Sequence, residues 1–316
     1  MRFLVNGSIA YDLLLSHDGS FLSGIDAQNL ENLSVNYLAQ GFKRHHGGTA
    51  ANIGWNLALL GHQASLISAV GFDGTEYLEL LSERGVDISR VERIKHAITA
   101  TAVIASDNAE RQISFFHPGA DAFGTFPSLK DEREELSYAI MSPRNPVLML
   151  KGAAECAKQN IPYLFDPGQV VHAFGTDEFR RAVSASAGLI TNEYEWGIAS
   201  QKLEWQENDI VKACGMLVIT LGDKGLRIVT RDEDLLVPAC RADHFVNPTG
   251  AGDAVRAGLL HGLSSGWSMT DAGRLSAVLG CLVVEQEGTL LESLDMDEVQ
   301  ARAEETYGEG LPFENE

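Results

Sequence analysis

The sequence predicts an α/β fold with a mostly parallel sheet and a small β lid, and three observations support this prediction. From Gly47 onward, apolar strands alternate with helical segments, which is the rhythm of β-α-β units. Residues 97–117 instead alternate with period two around an Asp107-Asn108 turn, as a β-hairpin does. Val246–Gly258 combines glycines with helical spacing, so it predicts a loop that turns directly into a helix.

Length and composition favour one large domain with a small appendage over two separate domains. The chain has 316 residues, of which 45% are apolar and 22% are charged, as in ordinary globular proteins. No apolar run approaches the roughly 20 residues that span a bilayer. The opening Phe3–Val5 is stopped by Asn6-Gly7 and is too short for a signal-peptide core, so we expect a cytoplasmic protein.

Charge and cysteine usage narrow the classes of partner. Twenty-four basic and forty-four acidic residues give a formal net charge of −20, which repels nucleic acid and anionic membranes. Any phosphate-binding site must therefore be formed by a local group of hydrogen-bond donors or cations. The four cysteines are far apart in the sequence and form neither a disulfide framework nor a zinc motif, so we expect buried thiols: Cys156, Cys214, Cys240 and Cys281.

The predicted elements follow one another with few interruptions. A strand at Phe3–Asn6 precedes a helix that begins after Gly48, a strand at Ala64–Val70 and a helix to about Arg84. Further strands are predicted near Val147–Leu150, Tyr163–Asp166, Leu189–Thr191, Leu217–Thr220, Leu226–Thr230 and Leu235–Pro238. Further helices are predicted near 153–159, 176–186, 205–214, 271–286 and 295–306.

We assign the irregular segment 10–46 and the hairpin segment 97–118 to the lid, which stands off the main domain. Residues 1–9, 47–96 and 119–316 then form the large domain, and the lid offers a surface through which a homodimer could form. His45 and His46, at the end of segment 10–46, invite a metal interpretation. Because no third ligand lies within reach by spacing, a structural role for both histidines is favoured.

The loop at Gly250–Gly252 has the properties of an anion site. Its residues carry almost no side chain, so an anion can approach the N–H groups of the following helix. Asp253 stands where a phosphate would bind, although a carboxylate at this position could also be a simple helix cap. Arg256, one turn further on, could orient Asp253, bind phosphate or form a solvated ion pair with it.

Polar residues follow several predicted strands, at the end where an open parallel sheet binds its ligands. They are Asn6 and Ser8, Asp166 and Gln169, Asn192 and Glu195, and Thr220 to Gly222. Each of them alone is typical of an ordinary loop. Their convergence with Asp253 indicates one crevice.

These segments resemble the ribokinase-like (PfkB) carbohydrate and nucleoside kinases. The stretch Pro248–Gly258 is similar to the second signature of that family, and its flanks are most similar to the bacterial adenosine kinases. Gly47–Asn52 resembles the first signature, and the similarity extends to segments 7–12, 114–120, 166–169 and 191–195. The resemblance implies a three-layer α/β/α ribokinase-like fold with a β lid, and phosphorylation by MgATP of a nucleoside 5′-hydroxyl, with adenosine giving AMP.

The resemblance also implies residue roles. Asp253 would be the general base, and the amides of Gly250, Ala251 and Gly252 would stabilise the transferring phosphoryl group. The acceptor would be held by Ser8, Asp12, Gly48, Asn52, Phe116, Gln169 and Asp253. ATP would be held by Asn192, Thr220, Gly222, Lys224, Gly225, Gly250 and Gly252, and Glu195 would organise Mg²⁺ through water. Asn247 replaces the usual aspartate, which leaves any monovalent-cation requirement open.

Plainer interpretations remain for several of these residues. Gly47, Gly48 and Asn52 are also a normal helix start, Asn192 with Glu195 is also a capping box, and Leu221–Gly225 is also a hairpin turn. Phe116 could pack inside the lid. The alternative functions are a sugar or sugar-phosphate kinase of the same fold and a non-catalytic nucleoside-binding protein.

Overall fold

A nine-stranded sheet forms the centre of the large domain. The computed structural model describes residues 1–25, 31, 34–130 and 135–313. Its strands are β1 (Arg2–Asn6), β2 (Ala10–Ser16), β3 (Gly41–Gly47), β4 (Gln63–Gly71), β5 (Val91–Ile94), β6 (Ala100–Ser106), β7 (Gln112–His117), β8 (Tyr138–Met141), β9 (Tyr163–Phe165), β10 (Gly188–Asn192), β11 (Met216–Thr220), β12 (Leu226–Thr230) and β13 (Asp234–Val237). In the sheet their order is β13-β12-β11-β10-β9-β8-β1-β4-β5. All neighbours are parallel except the pairs that β12 makes with β11 and β13.

Helices cover both faces of this sheet. They are α1 (Thr49–Leu59), α2 (Thr75–Glu83), α3 (Pro146–Gln159), α4 (Thr176–Ser184), α5 (Glu193–Leu203), α6 (Glu207–Cys214), α7 (Ala251–Ser265), α8 (Met269–Val284) and α9 (Met296–Tyr307). Successive side chains of β1 enter opposite cores: Phe3 and Val5 pack with α1, α2 and α7, whereas Leu4 packs with α3 to α6. Burial on both faces explains why the central strands are continuous apolar runs. The predicted α/β layering is confirmed.

Between residues 138 and 203, one predicted strand is wrong and two observed elements were not predicted. Val147–Leu150 is not a strand but the first part of α3, because Pro146 occupies the first helical position and the Asn145 side chain accepts from the Val147 N–H. The true strand here, β8, lies just before it and pairs with β1 and β9. Helix α5 was also not predicted.

The lid contains a second sheet in the order β3-β2-β6-β7. Two of its strands come from the segment 10–46 that appears irregular in sequence, and β2 lies parallel to β6 from the hairpin. The register places His45, Asp12, Ala102 and Phe116 in one row across the four strands. Side chains in such a row share one face of the sheet. The division of the chain at residues 10–46 and 97–118 stays a prediction.

None of the helices in the described part of the chain has both the length and the apolar content that a membrane span requires.

A pair of histidines, the half-buried His62 after α1 and the buried His261 on α7, lies away from the crevice. His62 Nε2 and His261 Nδ1 are 2.8 Å apart, and His261 packs against Trp267 and Phe313. Burial, and to a lesser extent the Met1 ammonium group, lowers the pKa of each imidazole to about 4, and the charge of His261 also contributes to the lowered pKa of His62. The pair therefore stays neutral in the folded state between about pH 4 and 6.5, where the unfolded chain takes up both protons.

We expect this pair to make the protein acid-sensitive. Both folded pKa values are depressed, so the unfolded state binds more protons as pH falls from about 6.5 to 4, and stability decreases in that window. The loss should be on the order of 2–3 kcal/mol. Urea unfolding at pH 7.5 and 5.0 measures it. His62→Gln should reduce the difference between the two pH values, whereas the exposed control His244→Gln should retain it; equal pH dependence in all three proteins would contradict the assignment.

Candidate active site

The carboxyl ends of the central strands bring the predicted polar residues to one edge. Asn192 at the end of β10 is the register partner of Thr220 at the end of β11. The Asp166 N–H, just after β9, donates to the Met141 carbonyl at 2.9 Å, and the Ser142 N–H donates to the Asn6 carbonyl at 2.8 Å. This alignment is the one expected for a parallel sheet, which binds its ligands in the crevice at this edge.

The loop before α7 has a backbone that only glycine adopts easily. Gly250 has φ of +88°, and a Cβ there would stand 2.8 Å from Cβ of Thr289. In the described residues the amides of Gly250 and Gly252 donate to no protein acceptor. The third predicted amide, of Ala251, donates to the Pro248 carbonyl at 3.3 Å. Two free N–H groups at the positive end of a fifteen-residue helix can bind an anion.

Asp253 is not a helix cap. Gly250 occupies the capping position, and the Asp253 carboxylate instead accepts a 2.7 Å hydrogen bond from Asn52 Nδ2 in the first turn of α1. The other atom of the same amide, Asn52 Oδ1, accepts from Thr289 Oγ1 at 2.8 Å. Because both ends of the amide have partners, its orientation is fixed and its N–H group faces the carboxylate.

Asp253 has the pKa of a base that works near neutral pH. Burial raises the pKa of this carboxyl to about 7; Arg256 and Asn52 oppose the rise, whereas the charges of Asp166 and Asp12 add to it. A carboxyl with a pKa near 7 can accept a proton and still be ionised in a large fraction of molecules at physiological pH.

Arg256 is buried and does not form a solvated pair with Asp253. Its Nε and Nη2 donate to the two carboxylate oxygens of Asp166 at 2.5 and 2.8 Å, and its Nη1 donates to the Gly252 carbonyl at 2.8 Å. The guanidinium thus forms a bidentate ion pair directly beside Asp253.

The predicted acceptor residues of α1 and the lid lie on the other side of Asp253. Gly48 has φ of +96°, and a Cβ there would approach the Ser8 carbonyl and the Ala10 N–H to 2.6 Å, so a larger residue would force the lid strand away. Burial raises the pKa of Asp12, and His45 lowers it. Ser8 is buried, and its Oγ accepts from the Thr49 N–H at 3.2 Å, which anchors the start of α1. Its predicted contact with the acceptor stays a prediction.

Phe116 lies on the same lid face as Asp12, two strands away. Standard strand spacing puts them roughly 10 Å apart, with the small Ala102 between them. The Phe116 side chain is 53% exposed, so it does not pack inside the lid. Gln169, in the turn after Asp166, is also exposed, and in the described residues neither side chain makes a hydrogen bond or ring contact. Both are therefore free to contact a ligand.

The predicted ATP residues lie at the opposite end of the crevice. Asn192 and Glu195 form a reciprocal capping box at the start of α5, with both hydrogen bonds at 2.8 Å. Thr220 Oγ1 donates to the Thr191 carbonyl at 3.4 Å, and Gly222–Lys224 is a short 3₁₀ turn that leads through Gly225 into β12. The plain interpretations of both segments, capping box and hairpin, are thus present, and their nucleotide contacts stay predictions.

The donors near this end fit Mg²⁺ bound through water. Among the described residues no group of three or more His, Cys, Asp or Glu side chains could hold a metal ion. Glu195 is a single buried carboxyl beside the Asp166 and Arg256 charges, and Mg²⁺ that retains several waters and binds phosphate oxygens needs no larger cluster. His45 and His46 are successive residues of β3, so their side chains point to opposite faces of the lid sheet, and His46 packs on Tyr77 with ring centroids 4.3 Å apart.

Comparison with known proteins identifies the class of this site. A sequence model of the pfkB family of carbohydrate kinases matches residues 19–295. The chain belongs to the pfkB family. It is therefore a phosphotransferase that acts on a hydroxyl acceptor.

Several relatives of this pfkB-family protein are nucleoside kinases. A nucleoside kinase from Burkholderia thailandensis in complex with inosine is 31% identical, and the match covers 98% of this chain and 99% of that chain with a TM-score of 0.88. The same enzyme in complex with ADP-inosine gives a TM-score of 0.85 at 31% identity, over 99% of each chain. The nucleoside kinase of Methanothermobacter thermautotrophicus is 30% identical over 272 residues, 85% of this chain and 87% of that protein. These likenesses confirm the predicted ribokinase-like fold.

Sequence reasoning did not find two features of the site. Thr289 fixes the Asn52 amide from 237 residues away, and no local pattern in its segment indicates this contact. The partner of Arg256 was also not predicted, although Asp166 was singled out as a strand-end residue. The position of Arg256 among small and apolar residues of a helical segment is the sequence signal that indicates a buried arginine with a carboxylate partner elsewhere.

Proposed function

We propose that this pfkB-family protein transfers the γ-phosphoryl group of ATP to the 5′-hydroxyl of a nucleoside, and that adenosine is the best acceptor. One observation carries the proposal: Asp253, held by Asn52, lies beside the free amides of Gly250 and Gly252. A base and an anion site at one helix terminus are the two elements that transfer of a phosphoryl group to a hydroxyl requires.

The residues of this chain can divide the reaction between them. Asp253 accepts the proton of the acceptor hydroxyl as its oxygen attacks phosphorus, and the bond from phosphorus to the ADP oxygen breaks. The Gly250 and Gly252 amides donate hydrogen bonds to the transferring phosphoryl group, whose charge shifts during the transfer. Because these donors are fixed in the helix terminus before the reaction, they need no reorganisation.

The acceptor side favours a nucleoside over a free sugar. Asp12 and Asn52 provide a carboxylate and an amide that can bind ribose hydroxyls. On the same lid face as Asp12, Phe116 presents an exposed aromatic ring, which suits a base and has no function for a hexose. Gln169 can donate to and accept from a purine edge. The nucleoside kinases similar to this chain support the same acceptor class.

ATP would occupy the end of the crevice near Asn192, Thr220 and Lys224, with its γ-phosphate toward Gly250. Glu195 would hold Mg²⁺ through water, and a bound Mg²⁺ neutralises phosphate charge. Burial and Asp166 raise the pKa of Glu195, whereas the Asn192 N–H and Arg256 lower it. The Asn192 N–H and Arg256 thus help to keep Glu195 ionised, as a Mg²⁺ site requires.

We expect Glu195→Gln to raise the Mg²⁺ concentration for half-maximal rate more than it raises the KM for the acceptor. The amide retains a hydrogen-bond acceptor for the Asn192 N–H but removes the charge that attracts the metal. Initial rates over a Mg²⁺ titration at fixed ATP measure the effect. Glu193→Gln, an exposed carboxylate in the same turn of α5, is the control and should leave the titration unchanged. An unchanged Mg²⁺ dependence in Glu195→Gln would leave the capping box as its sole role.

The acceptor class is tested by offering adenosine, inosine, guanosine, cytidine, ribose and fructose separately with MgATP. We expect nucleosides to exceed sugars in kcat/KM, with adenosine first. A best rate with ribose or fructose would replace the proposal with the sugar-kinase alternative. Preference for inosine would change only the base assignment, and nucleoside binding without any turnover would indicate a binding protein.

A further inference from the structure

Arg256 lies near three carboxylates. The proposed reaction uses Asp253 as the base and Glu195 at the Mg²⁺ site, and it gives no role to Asp166. Asp166, after β9, accepts hydrogen bonds from two N–H groups of Arg256. Asp253 lies three residues earlier on α7, and the arginine charge lowers its pKa. The same charge lowers the pKa of Glu195 at the start of α5. The arginine and Asp166 are 7% and 1% exposed. The charge of one buried cation therefore acts on both the proposed base and the proposed Mg²⁺-organising carboxylate.

Stability alone is a weak explanation for such a pair. The desolvation of two charges in a protein interior commonly costs as much as their attraction returns, so apolar residues would often serve equally well. The third contact of the guanidinium is more specific. Its Nη1 binds the Gly252 carbonyl, which belongs to the peptide that joins Gly252 to Asp253. The arginine thus holds the backbone from which the Asp253 side chain projects.

Without Arg256, the negative charges of Asp253 and its neighbouring carboxylates would repel one another. Asp166 and Asp12 both raise the pKa of Asp253, and Arg256 is the largest influence that lowers it. Tyr77, on α2, is a further titratable group close to Asp253 among the described residues, and burial keeps this phenol neutral. Arg256 therefore offsets the repulsion between Asp253 and the two neighbouring carboxylates.

We infer that Arg256, clamped by Asp166, is a positioning residue that aligns Asp253 with the acceptor. The inference rests on the proposed function, because it takes Asp253 as the base.

Substitution of Arg256 and substitution of Asp166 should shift the pH–rate profile in opposite directions. In Arg256→Gln the acidic limb of kcat/KM should move up by about one pH unit, because the cation beside Asp253 is lost. In Asp166→Asn the limb should move down, because a negative charge that raises the pKa of Asp253 is lost. Both variants should lose roughly 10- to 100-fold in kcat at pH 9, where Asp253 is ionised in either case, because the alignment of the base is disturbed.

Two further variants keep the test decisive. Arg256→Lys retains the charge without the bidentate fork, so its limb should remain near that of the wild type while kcat falls; it also serves if Arg256→Gln does not fold. Arg227→Gln is the matched control, since Arg227 makes an equally short bidentate pair with Asp234 at the far edge of the sheet. It should change neither the limb nor kcat.

Asp253→Asn measured in parallel separates this inference from the proposed function. If Asp253→Asn retains activity and its acidic limb, the base assignment itself fails. If Asp253→Asn is inactive while the Arg256 and Asp166 variants keep the wild-type limb and kcat, the base stands and the positioning role is overturned. Opposite shifts in Arg256→Gln and Asp166→Asn, with reduced kcat in both, support it.

Discussion

Asp253→Asn should lower kcat by roughly 10²- to 10⁴-fold, the range that a positioned general base contributes. The substitution removes the proton acceptor but leaves the Gly250 and Gly252 amides in place, so affinity for ATP should change little. Wild-type kcat/KM should fall as pH decreases below about 7, the value to which burial raises the pKa of Asp253. Steady-state rates from pH 5.5 to 9, with ATP binding measured by calorimetry, check both expectations.

Asp253→Asn should be at least as stable as the wild type, so a loss of activity in this variant would not result from unfolding. The Asp253 pKa is raised on folding, so its stability contribution falls as pH increases from about 4 to 7, and the cost of burying the charge is fully present at pH 8. An asparagine lacks this cost. Thermal unfolding at pH 8 measures it, and a folded variant with near-normal kcat would refute the base assignment.

Phe116→Ala should reduce kcat/KM for adenosine by roughly 5- to 150-fold, because stacking of a base on an aromatic ring is worth on the order of 1–3 kcal/mol. The ring is 53% exposed on the lid face that carries Asp12, so its loss leaves no core cavity. The rate with a high concentration of ribose should be unaffected, since a free sugar has no base to stack. Initial rates with both acceptors measure the difference.

The adjacent Phe115 provides a matched control. It is 68% exposed on the same strand, but its side chain points to the opposite face of the lid. Phe115→Ala should therefore leave adenosine kinetics unchanged. Equal losses in both variants would indicate that the lid is merely destabilised, and no loss in Phe116→Ala would remove the ring from the acceptor site.

Local sequence patterns were sufficient where one segment defines its own structure. Gly250–Gly252 followed by helical spacing predicted the loop and helix α7, and period-two alternation predicted the hairpin of β6 and β7. Polar residues after apolar runs predicted the edge at which the crevice lies. These features depend on backbone sterics and burial periodicity, both of which are visible within about ten residues.

Local patterns were insufficient where the same residues satisfy two structures. The apolar run Val147–Leu150 fits a strand or a buried helix, and only the preceding Asn145 and Pro146 decide for α3. Residues 10–16 and 41–47 appear irregular alone, because β2 and β3 become a sheet only when β2 pairs with β6. Strand formation there depends on partners about 90 residues away.

The sequence by itself determined the α/β class, the glycine loop that leads into α7 and the family to which the chain belongs. Only the tertiary structure decided what surrounds Asp253. It placed Asn52 against the carboxylate from 201 residues away, and it gave Arg256 a buried partner, Asp166, from 90 residues away, in place of the solvated pair that helical spacing allows. The physical reason is that spacing along one helix fixes which side chains share a face. The burial and the opposing charges that set a pKa come from every element packed around them.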